Sequence, residues 1–268
     1  MSECPLCAGS LATEFVYDAP PPGETAFDIP PGTYHRSYAR CGRCGLFVAD
    51  PGSIDLDGLY AGGYVDATYS DDAGLADTYE RIMALPPERS DNAGRVARVV
   101  AWMGDRRPRT LDVGSGLGVF PARMKAEGFV DVVALDPDPR AARHIREHVG
   151  VESVVADFMR SDDLGGFGLI TLNKVLEHVA RPVVMLARTR HYLEPGGVVY
   201  VELPDAAAAG DPDGQNREEF FLEHRFVFGP ASLALLARRA GFEVRRLESL
   251  REPSGKYTVY AFLNVVSL

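Results

Sequence analysis

The stretch Leu111-Asp112-Val113-Gly114-Ser115-Gly116-Leu117-Gly118 decides the fold. It completes an apolar segment that begins at Thr110, and it precedes a segment at 119–127 that predicts a helix. Glycines at the carboxyl end of a strand let the backbone turn tightly and approach a ligand closely. An ordinary glycine-rich turn is the alternative. The stretch therefore predicts a strand, a turn and a helix that together hold a nucleotide-type cofactor.

The segments around this stretch alternate between short apolar strands and helices. Strands are predicted at 110–113, 130–135, 153–156, 169–172 and 198–203, and helices at 90–104, 119–127, 139–149, 181–193 and 231–240. Such alternation predicts a parallel sheet that is covered on both faces. The last two strands, at 243–250 and 257–266, are joined by a turn so short that they can pair only antiparallel. The predicted fold class is therefore α/β.

Two types of cofactor use a glycine-rich turn of this form. The dinucleotide fingerprint G-x-G-x-x-G, counted from Gly114, requires a glycine where Val119 stands. An acid, Asp112, comes just before the first glycine and suits a ligand with a positively charged amine better than a pyrophosphate. The residues therefore favour S-adenosylmethionine over a nicotinamide dinucleotide.

Acidic residues also end the next two predicted strands. Asp136 ends the second strand, where a carboxylate can accept both hydrogen bonds from a ribose diol. Asp157 ends the third strand, where a carboxylate can accept from an adenine amino group and the ring of Phe158 can pack on the base. Each acid alone could instead cap a helix or a turn. Three acids at the ends of three successive strands predict an adenosine site at one edge of the sheet.

As an ordered set, these motifs resemble those of class I S-adenosylmethionine-dependent methyltransferases. The set comprises residues 111–118, Asp136, Asp157, the segment 169–178 and Leu-Glu-Pro-Gly-Gly at 193–197. The resemblance implies a Rossmann-like sheet of order 3-2-1-4-5-7-6 with an antiparallel seventh strand. It also implies the cofactor contacts, with Gly114 and Gly116 at the methionine end, Asp136 and Pro137 at the ribose, Asp157 and Phe158 at the adenine, and Asn173 at the floor of the site.

All four cysteines lie in two short pairs near the N-terminus, Cys4-x2-Cys7 and Cys41-x2-Cys44. Each pair can present two thiolates to one metal ion in tetrahedral geometry. Disulfides are the alternative, but the first residues lack the features of a signal peptide, and a reducing cytoplasm disfavours disulfides. We therefore predict a cytoplasmic protein with a structural zinc ion bound by the four sulfurs. The predicted domains are a zinc ribbon at 1–52, cap helices at 53–89 and an S-adenosylmethionine-binding catalytic domain at 90–268.

The composition disfavours two kinds of partner. The formal net charge of −10 repels phosphate backbones and argues against nucleic acid as a partner, although Arg36, Arg40 and Arg43 cluster in the ribbon. The chain contains no apolar run of about 18 residues, the length that a membrane-spanning helix requires. The sequence therefore predicts neither nucleic-acid nor membrane association, and it leaves the oligomeric state open.

The cysteine motifs narrow the expected acceptor. Cys-Pro-Leu-Cys, followed by Cys-Gly-Arg-Cys-Gly-Leu-Phe-Val-Ala-Asp-Pro ahead of such a catalytic domain, resembles a subset of methyltransferases that act on natural-product and polysaccharide sugars. The resemblance implies a small polar acceptor, a sugar or sugar nucleotide, methylated on oxygen, nitrogen or carbon. It also implies that the ribbon and the cap wall off the acceptor pocket.

The candidate catalytic pair, Glu223 and His224, lies in a long insertion after the fifth predicted strand. Connections that leave the carboxyl ends of parallel strands lie at the ligand edge of a sheet. An imidazole with an ordinary pKa of about 6.5 can remove a proton there. A surface pair is an equal alternative from the residues alone. The resemblance to the sugar-methylating subset favours His224 as the base, oriented by Glu223.

Two further residues are catalytic candidates. His178 follows the fourth strand, and Tyr64 of the cap could reach the pocket, although packing is an alternative for both. Two other functions also remain open at this point. They are methylation of RNA docked on the zinc ribbon, and a non-catalytic regulatory protein that keeps the cofactor fold.

Overall fold

The computed structural model describes residues 2–25, 27, 29–30, 32–56 and 72–266. Its strands in chain order are β1 (Leu11–Tyr17), β2 (Arg36–Cys41), β3 (Phe47–Asp50), β4 (Thr110–Val113), β5 (Val132–Asp136), β6 (Glu152–Val155), β7 (Phe167–Asn173), β8 (Leu193–Pro204), β9 (Phe226–Val227), β10 (Phe242–Arg251) and β11 (Tyr257–Val265). Its α-helices are α1 (Asp72–Met83), α2 (Asp91–Met103), α3 (Val119–Ala126), α4 (Pro139–His144), α5 (Pro182–Tyr192) and α6 (Pro230–Arg239).

The central element is a seven-stranded sheet in the order β10-β11-β8-β7-β4-β5-β6. Strand β4 pairs in parallel with both β5 and β7, whereas β11 pairs antiparallel with both β8 and β10. When β4 is counted as the first strand of this sheet, the order reads 3-2-1-4-5-7-6. The sheet order expected from the sequence motifs is therefore confirmed, including the antiparallel seventh strand.

Apolar strand residues bury both faces of this sheet. One face packs against α5 and α6 through residues such as Leu172, Leu186 and Leu233, and the other packs against α2 and α3 through residues such as Val99 and Phe120. Helix α2 begins as predicted, because the Ser90 side chain accepts a hydrogen bond from the backbone of Ala93 and satisfies a free helix donor. The two covered faces place the ligand site at the strand ends.

Element boundaries differ from the prediction where local exposure or pairing overrides the pattern. Val130 was predicted to start the second strand, but its side chain is 86% exposed and β5 begins at Val132. The predicted helix at 139–149 is α-helical only to His144 and continues as a π-turn over Ile145–Val149. Leu193, predicted to end a helix, already pairs with Phe167 at the start of β8.

The N-terminal ribbon is an antiparallel sheet of β1, β2 and β3 that is completed by β9. Strand β9 belongs to the insertion after β8, and it places Val227 opposite Phe47 and Phe226 opposite Val48. An aromatic cluster joins the same parts, since the buried ring of Phe220 lies 5.3 Å from that of Tyr38 and 5.0 Å from that of Phe47. The ribbon and the insertion therefore form one packed unit.

Among the described residues, no helix has both the length and the apolar composition that crossing a bilayer requires.

Candidate active site

The glycine-rich turn joins β4 to α3 and has the left-handed backbone that only glycine adopts easily. Gly114, Gly116 and Gly118 have φ angles of 73°, 50° and 72°. A Cβ atom on Gly114 would lie 2.8 Å from the Val175 side chain, and one on Gly118 would lie 2.7 Å from Ile145. A Cβ atom on Gly116 would meet no described atom within 4 Å. Within the part of the chain that the structure describes, Gly116 therefore borders open space, as expected of the glycine that a ligand approaches.

Asp112 forms the floor beneath this turn. Its carboxylate accepts hydrogen bonds from the Thr171 hydroxyl at 2.6 Å and from the Asn173 side-chain amide at 2.8 Å. Burial raises the pKa of Asp112 to about 6. The carbonyl oxygen of Asn173 is buried and has no hydrogen-bond partner in the described part of the chain. Asp112 thus orients an amide whose free oxygen can accept from a ligand, and its own contact with a ligand amine stays a prediction.

Asp136 connects the end of β5 to the glycine-rich turn. Its carboxylate accepts from the backbone N–H of Gly116 at 2.8 Å and from that of Asp138 at 2.9 Å. Burial raises the pKa of Asp136 above its ordinary value. Pro137 lies between these two acids, and Asp138 caps α4. A carboxylate has about four acceptor positions, so Asp136 retains acceptor capacity for a ribose diol.

Asp157 and Phe158 follow β6 at the same edge of the sheet. The Asp157 carboxylate is about half exposed and accepts from the backbone of Met159 at 2.8 Å. Phe158 is only 2% exposed, and its ring lies 5.7 Å from that of Tyr192 in the core. The structure therefore gives Phe158 a packing role behind the site, and the adenine contacts of both residues stay predictions.

The turn after β7 brings further polar groups to this edge. Lys174 has a φ of 57°, which is unusual for a residue with a side chain, and its ammonium group donates to the Thr258 hydroxyl at 3.0 Å. Burial raises the pKa of Glu177 to about 8. Burial also lowers the pKa of His178 to about 4. These groups are withdrawn from solvent next to the carboxyl end of the sheet.

The structure brings the two predicted histidines together. The insertion lies over the turn after β7, because the backbone N–H of Arg225 donates to the Glu177 carbonyl at 2.8 Å. The imidazole rings of His178 and His224 have centroids 4.9 Å apart. Burial lowers the pKa of His224 well below its ordinary value. Two neutral imidazoles therefore lie side by side at the edge of the sheet.

Glu223 does not orient His224, contrary to the prediction. The Nδ1 atom of His224 lies 2.9 Å from the backbone carbonyl of Glu219 instead. That carbonyl is fixed because the buried Glu219 side chain binds the Arg217 guanidinium at 3.0 Å and the backbone N–H of Tyr257 at 2.5 Å. Burial raises the pKa of the Glu223 carboxyl to about 7. The sequence could not reveal this arrangement, since the orienting group is a backbone atom.

The remaining catalytic candidate, Tyr64, lies outside the described residues. Glu177, which directly precedes His178, has no role in the prediction from sequence, yet its side chain is fully buried beside that histidine. The apolar run 169–172 followed by a short polar turn was the signal that places Glu177 at the end of β7.

The four cysteine sulfurs of the N-terminal ribbon lie close together. The Sγ of Cys4 is 3.6 Å from that of Cys44, and the Sγ of Cys7 is 3.4 Å from that of Cys41. Sulfurs ~2.3 Å from a tetrahedral ion are separated by ~3.8 Å, whereas a disulfide bond is about 2.05 Å long. Gly9 allows this approach, because a Cβ atom there would lie 3.0 Å from the Cys41 sulfur. The donor set therefore fits one metal ion.

The sequence pattern of a family described as "Methyltransferase domain" matches residues 81–247, which is more than half of the chain. The chain belongs to this methyltransferase family. With the glycine-rich turn and the acids at the strand ends, the match identifies an enzyme that uses S-adenosylmethionine. The expectation of a non-catalytic protein loses its support, and so does that of a nicotinamide enzyme.

Curated relatives include ubiquinone biosynthesis O-methyltransferases. The protein of Thiobacillus denitrificans is 28% identical over 168 residues, which are 56% of this chain and 72% of the relative. The protein of Xanthomonas campestris pv. campestris is 32% identical over 125 residues, which are 44% of this chain and 49% of the relative. The similarity to the second relative thus covers about half of its length.

Solved structures with the same fold include two N-methyltransferases. A 1,6-didemethyltoxoflavin-N1-methyltransferase of Burkholderia thailandensis, with its acceptor and S-adenosylhomocysteine bound, has a TM-score of 0.58 and 19% identity and covers 92% of this chain and 100% of its own. The glycopeptide N-methyltransferase MtfA has a TM-score of 0.55 and 15% identity and covers 66% of this chain and 91% of its own. At these identities the similarity shows the fold and leaves the acceptor open.

Replacing Asp136 with alanine is expected to weaken S-adenosylhomocysteine binding about 10- to 100-fold, because hydrogen bonds to a charged group contribute about 1.5–3 kcal/mol each. Isothermal titration calorimetry measures the affinity. The matched control is Asp131→Ala, which removes an exposed acid that lies before β5 and pairs with Arg109 at 3.4 Å. Equal affinities for Asp136→Ala and the unmodified protein would remove Asp136 from the cofactor site.

Proposed function

We propose that this methyltransferase methylates an oxygen, nitrogen or activated carbon of a small polar acceptor, a sugar or sugar nucleotide of natural-product or polysaccharide biosynthesis. The observation that supports this proposal best is the pair of neutral imidazoles, His178 and His224, which the insertion brings together over the turn after β7. The cysteine motifs that resemble the sugar-methylating subset support the proposed acceptor class. A formal net charge of −10 argues against RNA as the acceptor.

A sulfonium is already an excellent methyl donor. The protein therefore needs only to align the donor with the acceptor, exclude water and remove a proton. The methyl group passes from the sulfur to the acceptor atom in line with the breaking bond. The electron pair of that bond stays on sulfur and gives S-adenosylhomocysteine. The proton of the acceptor passes to His224 and then to solvent.

The tautomer of His224 suits this role. A backbone carbonyl can only accept, so the Nδ1 atom beside the Glu219 carbonyl carries the hydrogen of the neutral ring. The lone pair of His224 is then on Nε2, which can accept a proton. The lowered pKa keeps the imidazole neutral at pH 7. A base held in the correct tautomer by a backbone atom supports the assignment of His224.

We also propose that Cys4, Cys7, Cys41 and Cys44 bind one structural zinc ion. Four sulfur ligands close the coordination shell, so this ion would stabilise the ribbon and leave the acceptor untouched. The turn between Cys4 and Cys7 also contacts α6, where the Arg239 guanidinium donates to the carbonyls of Pro5 and Leu6 at 2.7 Å each. Zinc would thereby support the ribbon strands to which β9 and the segment around His224 are attached.

The acceptor class is tested with S-adenosylmethionine carrying a tritium-labelled methyl group. The purified protein is incubated separately with a panel of nucleotide-linked sugars and deoxysugars and with total bacterial RNA. We expect label in at least one sugar nucleotide and none in RNA. Label in RNA alone, or in no sugar, would contradict the proposed acceptor class.

Replacing His224 with asparagine is expected to lower kcat by about 10²–10⁴-fold, the usual contribution of a positioned general base. Asparagine keeps a polar side chain of similar reach, and the affinity for S-adenosylhomocysteine should change less than twofold. The matched control is His191→Asn, which alters an exposed histidine on α5. Normal turnover by the His224 variant would eliminate it as the proton acceptor.

Replacing Cys44 with serine is expected to lower the zinc content by one ion per chain, measured by elemental mass spectrometry, and to lower turnover at least tenfold. Cofactor affinity should stay within about twofold, because the glycine-rich turn belongs to the other sheet. Ser10→Ala, which alters an exposed residue close to the cysteine pairs, serves as the control. A zinc-free variant with full turnover would show that the ribbon does not position the active site.

A further inference from the structure

A second group of potential metal ligands lies inside the candidate active site, far in sequence from the cysteines. Glu177, His178 and His224 each offer one donor atom, and these three atoms all lie within 4.8 Å of one another. The Nε2 atom of His178 is 4.0 Å from a carboxylate oxygen of Glu177. Two of the residues come from the turn after β7 and the third comes from the insertion that covers it.

Backbone carbonyls orient both imidazoles in the way that metal ligands require. The Nδ1 atom of His178 is 3.0 Å from the Glu223 carbonyl, and that of His224 is 2.9 Å from the Glu219 carbonyl. Each Nδ1 must carry hydrogen, so the lone pairs lie on the two Nε2 atoms. A metal-binding histidine commonly donates its other ring N–H to a carbonyl or carboxylate, which fixes its tautomer.

Among the described residues, the buried Glu177 carboxyl group has no hydrogen-bond partner, and the charge of the nearby Lys174 ammonium only partly offsets its burial. The side chain is fully buried, and neither oxygen has a hydrogen-bond partner in the described part of the chain. A buried carboxylate is normally paired, hydrogen-bonded or bound to a metal. The ammonium group of Lys174 binds Thr258, and the Arg225 guanidinium donates to the carbonyl of His178 at 3.1 Å. Neither cation is bonded to the Glu177 carboxylate.

We propose that Glu177, His178 and His224 bind a divalent first-row transition metal ion through one carboxylate oxygen and two Nε2 atoms. Two imidazoles and one carboxylate are a donor set that zinc and iron(II) accept with positions left open. Ligand atoms ~2.1 Å from a tetrahedral ion are ~3.4 Å apart. Side-chain rotations that move each donor atom by about 1 Å would therefore bring the three atoms to bonding distance of one ion. The site is distinct from the cysteine cluster in ligands, charge and location.

Metal binding at these residues does not depend on the identity of the acceptor. Its meaning for catalysis does rest on the proposed function. Three protein ligands leave a coordination position open for a hydroxyl of the acceptor, and the ion would lower the pKa of that hydroxyl. With the ion bound, the Nε2 atom of His224 would hold the ion instead of accepting a proton, and the acceptor proton would pass to solvent. The proton-acceptor role of His224 therefore applies to the site without the ion.

Cobalt(II) titration of the metal-free chain under reducing conditions separates the two sites. Cobalt bound by thiolates gives strong near-ultraviolet charge-transfer bands, whereas cobalt bound by imidazole and carboxylate gives only weaker visible bands. We expect two ions per chain in the unmodified protein, one with each signature. Glu177→Gln and His224→Asn should each bind one ion with the thiolate signature, and Cys44→Ser should keep the ion with visible bands alone.

The thiolate signature also reports that the variants are folded, and thermal unfolding followed by circular dichroism provides a second check. His191→Asn should bind two ions like the unmodified chain. Only the ion with the thiolate signature in the unmodified chain, or a second ion whose affinity falls less than twofold in both Glu177→Gln and His224→Asn, would overturn the proposal. Failure of this test leaves the labelled-methyl assay unaffected, so the two proposals fail independently.

Discussion

The position of the candidate base depends on the pairing of β3 with β9. This pairing sets Val227 opposite Phe47, and the hydroxyl of the buried Tyr38 in the neighbouring strand binds the carbonyl of His224. The backbone of Leu222 also donates to Glu24, whose buried carboxylate pairs with Arg36 at 2.7 Å. The segment that carries His224 is thus held from the ribbon side by strand pairing and by buried polar contacts. A loop of this length without such contacts would lose the fixed geometry that proton transfer requires.

The other side of the site is fixed by acids at the strand ends. Asp112 holds Thr171 and Asn173, and Asp136 holds the backbone of Gly116, so neighbouring strands are joined to the glycine-rich turn through carboxylates. Further along the sheet, the buried Glu202 binds the guanidinium of Arg98 at 2.8 Å. A buried carboxylate without partners costs several kcal/mol, so these pairings preserve the order of the edge. Glu177 differs from these acids, because neither of its buried carboxylate oxygens has a hydrogen-bond partner in the described part of the chain.

The sequence predicted the large sheet because its determinants are local. Apolar strands, the glycine-rich turn and the short final turn each leave a pattern within about ten residues, and the order of the strands followed from the resemblance. Strand β9 was not predicted, since the two residues Phe226 and Val227 form a strand only because β3, remote in sequence, offers an edge. The predicted partner of His224 was also wrong, because the true partner is remote from any residue pattern. A backbone carbonyl replaces the expected Glu223 carboxylate, and no residue type reveals a backbone partner.

The proposed reaction requires S-adenosylmethionine and the neutral imidazole of His224 to face the same space at the carboxyl edge of the sheet. A crystal structure of the zinc-loaded protein with S-adenosylhomocysteine tests it most directly. We expect the ribose beside Asp136, the backbone of Gly116 against the ligand, and open space between the sulfur and the Nε2 atom of His224. A ligand bound elsewhere, or protein atoms filling the path between the sulfur and His224, would contradict it.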